Sequence, residues 1–207
     1  MESTNGTLTE VQQLRSIYDP PLQRSLLKQM DHIDAVSRRF IAASPFLVLA
    51  TSGPSGVDCS PRGDHPGFVR VADDKTLLLP DRRGNNRLDS LQNIVENSAV
   101  GLIFFVPGIN EAFRVNGRAR VSADPKLLEQ FVFSGTAPKA VLVITVDEAF
   151  VHCPRALVRA DLWNPAKFAP GGQVPTIGDM LEAHTGGLVN ATAFDEEAKT
   201  LVPKTLY

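Results

Sequence analysis

The chain has 207 residues, 43% of them apolar and 21% charged, with a formal net charge of −2. That length suits one domain with a full core and is short for two, and the charge excludes a general nucleic-acid binder, which carries a basic excess. No apolar run approaches a membrane span, the opening MESTNGTLTE lacks the basic-then-apolar order of a secretion signal, and two cysteines are too few for a disulfide framework, so a cytoplasmic protein with a small anionic ligand is expected.

Residues 1–9 read as a flexible lead, followed by a first helix from Thr9, as cap, to Tyr18. Pro20-Pro21 separates it from a second helical stretch, Leu22 to Met30. Asp31 is placed to cap a third helix in which Ile33, Val36, Phe40 and Ile41 share one face. Ser44-Pro45 ends this prelude. The pattern then turns to strands: Phe46 to Ser52 and Val57 to Arg62 form a hairpin across Gly53-Pro54-Ser55-Gly56. Phe68 to Ala72 and Lys75 to Leu79 form a second hairpin, with Pro80 as its stop.

After Pro80 comes Asp81-Arg82-Arg83-Gly84-Asn85-Asn86-Arg87, a basic turn, and then Leu88, Leu91, Ile94 and Val95 at helical spacing. Asn85 or Asn86 can cap that helix and Gly84 can take positive φ. A helix start beside three guanidinium groups suits a phosphate. Val100 to Val106 and Glu111 to Ala123 read as strands, the latter sending Phe113, Val115 and Gly117 one way and Arg114, Asn116 and Arg118 the other. Asp124-Pro125 opens a short helix, Ala140 to Val151 is a last long strand, and a helix carrying Arg155, Arg159 and Trp163 follows. Phe168 to Pro175 reads as a loop, Ile177 to Ala183 as a short helix, and no element is assigned beyond Thr185. Many strands at short spacing with few helices between them point to a small closed barrel.

Three basic elements lie on separate strands or strand ends: Ser60 to Asp64, the loop with Arg82, Arg83 and Arg87, and the strand with Arg114, Arg118 and Arg120. Convergence of all three on one anion is expected. The loop is no Walker A sequence, because no Gly-Lys-Ser/Thr follows, and no dinucleotide fingerprint, because G-x-G-x-x-G is missing. Cys59 and Cys153 read as buried thiols. Asp64 and His65 fit a pocket wall or a plain turn, His152 a pocket or a helix cap, and Trp163 a core anchor or a stacking plate. The histidines lack partners at ligand spacing, so no metal is expected.

The stretches Val57 to Asp64, Leu79 to Arg87, Phe105 to Gly108, Phe113 to Ala119 and Val151 to Ala156 together resemble the pyridoxamine 5′-phosphate oxidase-like flavoproteins, in particular the branch of FMN-dependent enzymes. The resemblance implies a mainly β fold with flanking helices: a six- to seven-stranded antiparallel FMN-binding split β-barrel after an N-terminal helical prelude. It divides the chain into a helical extension (1–30), the split barrel (31–165) and a loop-and-helix extension of the same domain (166–207). It also implies FMN as cofactor and a homodimer with the cofactor at the subunit interface; the partner expected is a small molecule, either a nicotinamide donor such as NAD(P)H or a small organic substrate, without nucleic acid or membrane. Carried over, Arg62 borders the flavin, Pro80 and Asp81 pass its ring, and Asn86 with Arg87 takes the phosphate. Asn86 departs from the family's usual Arg-Lys pair, a gap that Arg82 or Arg83 fills. Glu111 to Arg118 and the Arg155 to Trp163 region are the candidates for the second wall, with Arg114, Arg118 and Trp163 expected to reach the cofactor. The activity implied is an FMN-dependent oxidoreductase; a flavin or haem carrier and an F420-dependent reductase are the alternatives on this fold. Pyridoxamine phosphate oxidation itself is disfavoured, because no Arg-x-His-type segment stands near Tyr207.

Overall fold

The computed structural model describes residues 6–207, so most of the expected flexible lead lies outside the described residues. Three short helices open the chain, α1 (Val11–Ile17), α2 (Gln23–Leu27) and α3 (Ala35–Ala43). The cap of α1 is Glu10 rather than Thr9. Asp34, not Asp31, caps α3: its carboxylate accepts from the Ser37 N–H at 2.7 Å. Asp31 is instead drawn to Lys75 at 2.8 Å and to His32, and these hydrogen bonds lower its pKa to about 2. As a result Ile33 precedes the helix while still being buried, and Val36 points to solvent.

The strands are β1 (Phe46–Gly53), β2 (Gly56–Gly63), β3 (Arg70–Val71), β4 (Thr76–Asp81), β5 (Ala99–Phe105), β6 (Ala112–Ser122) and β7 (Ala140–His152). They form one antiparallel sheet in the order β2-β1-β5-β6-β7-β4-β3. Alternation does the expected work: Leu47, Leu49, Leu102, Phe104, Val115 and Ile144 each turn inward and are almost fully buried, while their neighbours face out. Pro80 does not stop its strand. It lies within β4, buried and opposite Val141, because this sheet position tolerates a residue without an N–H. The third basic strand carries an irregularity: β6 pairs Asn116 with Glu148 but Gly117 with Val146, so Asp147 is left over. Glycine is required here, since a Cβ on residue 117 would stand 2.0 Å from the Thr145 carbonyl oxygen.

The ladder is open, not closed: among the described residues no backbone pairing joins β2 to β3 or β4. Side chains join the ends instead. Arg62, on β2, donates to Asp81, on β4, at 2.9 Å, and Arg82, just after β4, donates to Asp64, just after β2, at 2.6 Å. The barrel is therefore split along a seam clasped by two crossed arginine–aspartate pairs.

Helix α4 (Asp89–Glu96) lies over β1 beside this seam. Its Asn93 amide donates to buried Thr51 at 3.1 Å, and Gly53 leaves room for it, since a Cβ there would be 2.4 Å from Asn93 Oδ1. The later helices are α5 (Pro125–Glu129), capped by Asp124, then α6 (Arg155–Ala160), α7 (Ile177–His184) and α8 (Ala191–Lys204). Trp163 follows α6 rather than lying in it. The long α8, capped by Asn190, stands where no element was expected from the residue pattern. Cys59 and Cys153 are both exposed, contrary to the expectation of burial; Cys59 lies on β2, an edge strand.

Candidate functional site at the barrel seam

A cleft of about 650 Å³ opens along the seam, walled by the end of β2, the loop from Asp81 to α4, and the segment from Thr136 to Ala140. That volume suits a cofactor-sized ligand. Four features of the local sequence build it.

The first is a hydroxyl network behind the seam. Ser60 and Ser90 both donate to Asp58, at 2.9 and 2.5 Å, and Arg62 donates to Ser90 at 3.1 Å. The Ser90 hydrogen bond, with help from Ser60 and the charge of Arg62, holds the Asp58 carboxyl below its usual range against the opposing effect of burial. Arg62 is thus committed to Asp81 and Ser90, and its Nε is buried with no protein partner.

The second is the backbone of the loop. Asn86 (φ 60°) and Leu88 (φ 64°) take the left-handed conformation, whereas Gly84 does not. Leucine rarely adopts it, and the strain sits at the start of α4. Neither Asn85 nor Asn86 caps the helix: Asn85 Oδ1 accepts from the Arg87 N–H at 3.0 Å, and Leu88 occupies the cap position with no oxygen to offer. Leu88 to Leu91 line the cleft, so the start of α4 stands there without a side-chain cap, where free amides and the helix dipole favour an anion.

The third is an uneven distribution of charge. Arg82 is bound to Asp64 and to the Phe131 carbonyl, at 2.7 Å, and Arg87, largely exposed, reaches back to Asp89 at 2.8 Å. Arg83 and Lys139 also line the cleft and form no ion pair among the described residues. The fourth is Tyr207, which lines the cleft from the far end of the chain.

Of the residues singled out from the sequence, the cleft gathers Arg62, Asp81, Arg82, Arg83, Asn86 and Arg87. Four others lie elsewhere in this chain. Pro80 is buried within the sheet. Arg114 donates to Glu148 at 3.1 Å and lies over the Phe150 ring at 4.6 Å, Arg118 pairs with Asp147 at 3.0 Å, and the Trp163 indole donates to the Ile109 carbonyl at 2.9 Å. The expected convergence of three basic elements therefore holds for two of them within one chain; the β6 arginines face the outer side of the sheet. There His152, beside Phe150, is held below the usual histidine range by burial and by the charges of Arg114 and Lys28. Sequence reasoning missed Ser90, Lys139 and Tyr207. Ser90 had a signal in being the second residue of a helix already tied to the loop; the other two had none.

An open antiparallel barrel with an arginine-lined cleft at its seam is a split barrel. The chain belongs to the pyridoxamine 5′-phosphate oxidase family, whose model, "Pyridoxamine 5'-phosphate oxidase", matches residues 33–153. No curated protein matches the chain. Among solved structures, HupZ from Group A Streptococcus is similar at 20% identity, covering 57% of this chain and 93% of its own, with a TM-score of 0.48. General Stress Protein 26 from Bacillus anthracis is similar at 17% identity, covering 55% and 88%, with a TM-score of 0.41. The FAD binding protein from Mycobacterium smegmatis is similar at 12% identity, covering 58% and 95%, with a TM-score of 0.39. At this distance each is a likeness and nothing more. Among the described residues no helix is long and apolar enough to cross a membrane.

Proposed function

We propose that the protein binds FMN in the seam cleft and acts as an FMN-dependent oxidoreductase on a small organic substrate. One observation carries the reading: in a chain of this family, a cofactor-sized cleft collects the uncapped start of α4 together with Arg83 and Lys139, cations with no carboxylate partner among the described residues. These groups fit a dianionic phosphate, with charge-assisted bonds of roughly 1.5–3 kcal/mol each. Arg87 reaches the same group by exchanging its exposed contact with Asp89. Arg62 acts behind it, holding Asp81 and Ser90 in place, with its buried Nε as an unmatched donor. When bound, FMN supplies the redox chemistry; the chain's part is to fix its phosphate and orient its ring.

The proposal includes a homodimer. Arg114, Arg118 and Trp163 stand away from the cleft of their own chain, and a second copy presents them to it as the outer wall.

Purified protein is to be mixed with FMN, desalted and examined for flavin absorbance near ~450 nm, which the cofactor carries with it. Retained flavin, reduced on addition of NADH or NADPH, supports the reading. A colourless desalted protein, with added FMN leaving no trace in a binding titration, overturns it.

A further inference from the structure

The segment that ends in Tyr207 returns to the seam across 143 positions of sequence, its hydroxyl donating to Asp64 Oδ1 at 2.7 Å. Its ring lies parallel to that of His65, 4° apart in plane with centroids 6.4 Å apart, and tilts against Phe133 at 4.6 Å. The Arg82 guanidinium lies 5.4 Å from the same ring. Asp64 and Arg82 are themselves one of the two pairs that clasp the seam. Tyr207 is thus set into the rim of the ligand cleft, not into the core.

What precedes it is weakly held. Residues 165–177 are exposed throughout, giving a tether with no buried side chain. Helices α7 and α8 pack against one another, yet each buries a single residue, Gly178 and Ala191. Leu201, Val202 and Leu206, on the approach to Tyr207, remain about half exposed. A segment with so few buried contacts opens at low free-energy cost compared with the strands.

We infer that the segment carrying α7 and α8 is a movable arm, latched at the cleft rim by Tyr207 against Asp64, His65 and Phe133. Release of the tyrosine frees the rim where Arg82 lies and widens the entry to the seam. The latch controls how fast a ligand enters and leaves, and takes no part in the chemistry.

The test uses the full chain and its Tyr207→Ala and Tyr207→Phe variants, with two readouts. Hydrogen exchange comes first. Loss of one hydrogen bond to a carboxylate should cost α8 about tenfold in protection, with the β1 and β7 amides unchanged. Tyr207→Phe, which keeps the ring, should fall between Tyr207→Ala and the natural chain. Equal α8 protection in all three proteins overturns the latch, as does a parallel loss in the strands, which would make Tyr207 a brace of the barrel. The second readout rests on the proposed FMN binding: stopped-flow mixing with FMN should show faster association and faster release in Tyr207→Ala. Faster release with unchanged association would make the tyrosine a ligand contact and overturn the inference. If none of the three proteins binds FMN, the functional proposal fails while the exchange experiment still decides the latch.

Discussion

Arg62→Ala separates a structural arginine from a ligand-binding one. Arg62 bonds to Asp81 at 2.9 Å and to Ser90 at 3.1 Å, with 23% of its side chain and 16% of that of Asp81 exposed. Breaking a fully buried pair costs about 3–5 kcal/mol, and an exposed one about 0–1. A pair exposed to this degree belongs between them, so about 2 kcal/mol should be lost. For a chain of this length that lowers Tm by about 4–8 °C. Arg83→Ala provides the contrast: the residue is exposed and forms no ion pair among the described residues, so stability should stay within about 0.5 kcal/mol. Its effect should appear in FMN affinity, weakened by about ten- to a hundredfold through loss of one charge-assisted bond. Thermal and urea denaturation without ligand measure the first quantity, and a flavin titration the second. An Arg62→Ala protein that melts with the natural chain, or an Arg83→Ala protein that melts as early as Arg62→Ala, would refute the division of labour drawn from the seam.

Gly117→Ala should destabilise the fold by about 3 kcal/mol, because the new methyl would meet a backbone carbonyl at 2.0 Å that is fixed by the sheet; a circular-dichroism melt within a degree of the natural chain would show that the irregularity can shift. Stability should also depend on acid through Asp64. Burial raises its pKa, but hydrogen bonds from Tyr207, the His65 N–H and Arg82 outweigh that and leave it below the usual carboxylate value. The ionised form is thus favoured by folding, so its contribution is complete above the unfolded pKa of about 3.9 and fades as pH falls through the lower folded value. Urea midpoints between pH 6 and pH 2.5 should therefore decline less steeply for Asp64→Asn than for the natural chain, and equal slopes would contradict the assignment.

Strand periodicity made most of the sheet legible, since inward residues such as Leu47, Leu49 and Val115 alternate cleanly with outward ones. Pro80 misled because a missing N–H matters only where the ladder needs it, and that depends on neighbours the sequence does not reveal. Composition marked the turn from Arg82 to Arg87 as a basic loop at a helix start, but not which arginines were already bound. Asp64 and Asp81 claim Arg82 and Arg62 across the seam, and pairing between residues 18 or 19 positions apart leaves no local trace. The left-handed Leu88 ran against every cap preference, as strained positions beside ligand sites do. Tyr207 was invisible for the opposite reason: its partners, Asp64 and Phe133, are set by tertiary folding alone.

The strand order has a consequence for how the molecule assembles. Strand β4, which leads into the basic loop, waits for β7: Thr76 pairs with Thr145 and Asp81 with Ala140. Contacts so distant along the chain form slowly. Because pairing with Ala140 positions Asp81, the clasp that Arg62 makes with it depends on β7 as much as on the loop that follows β4.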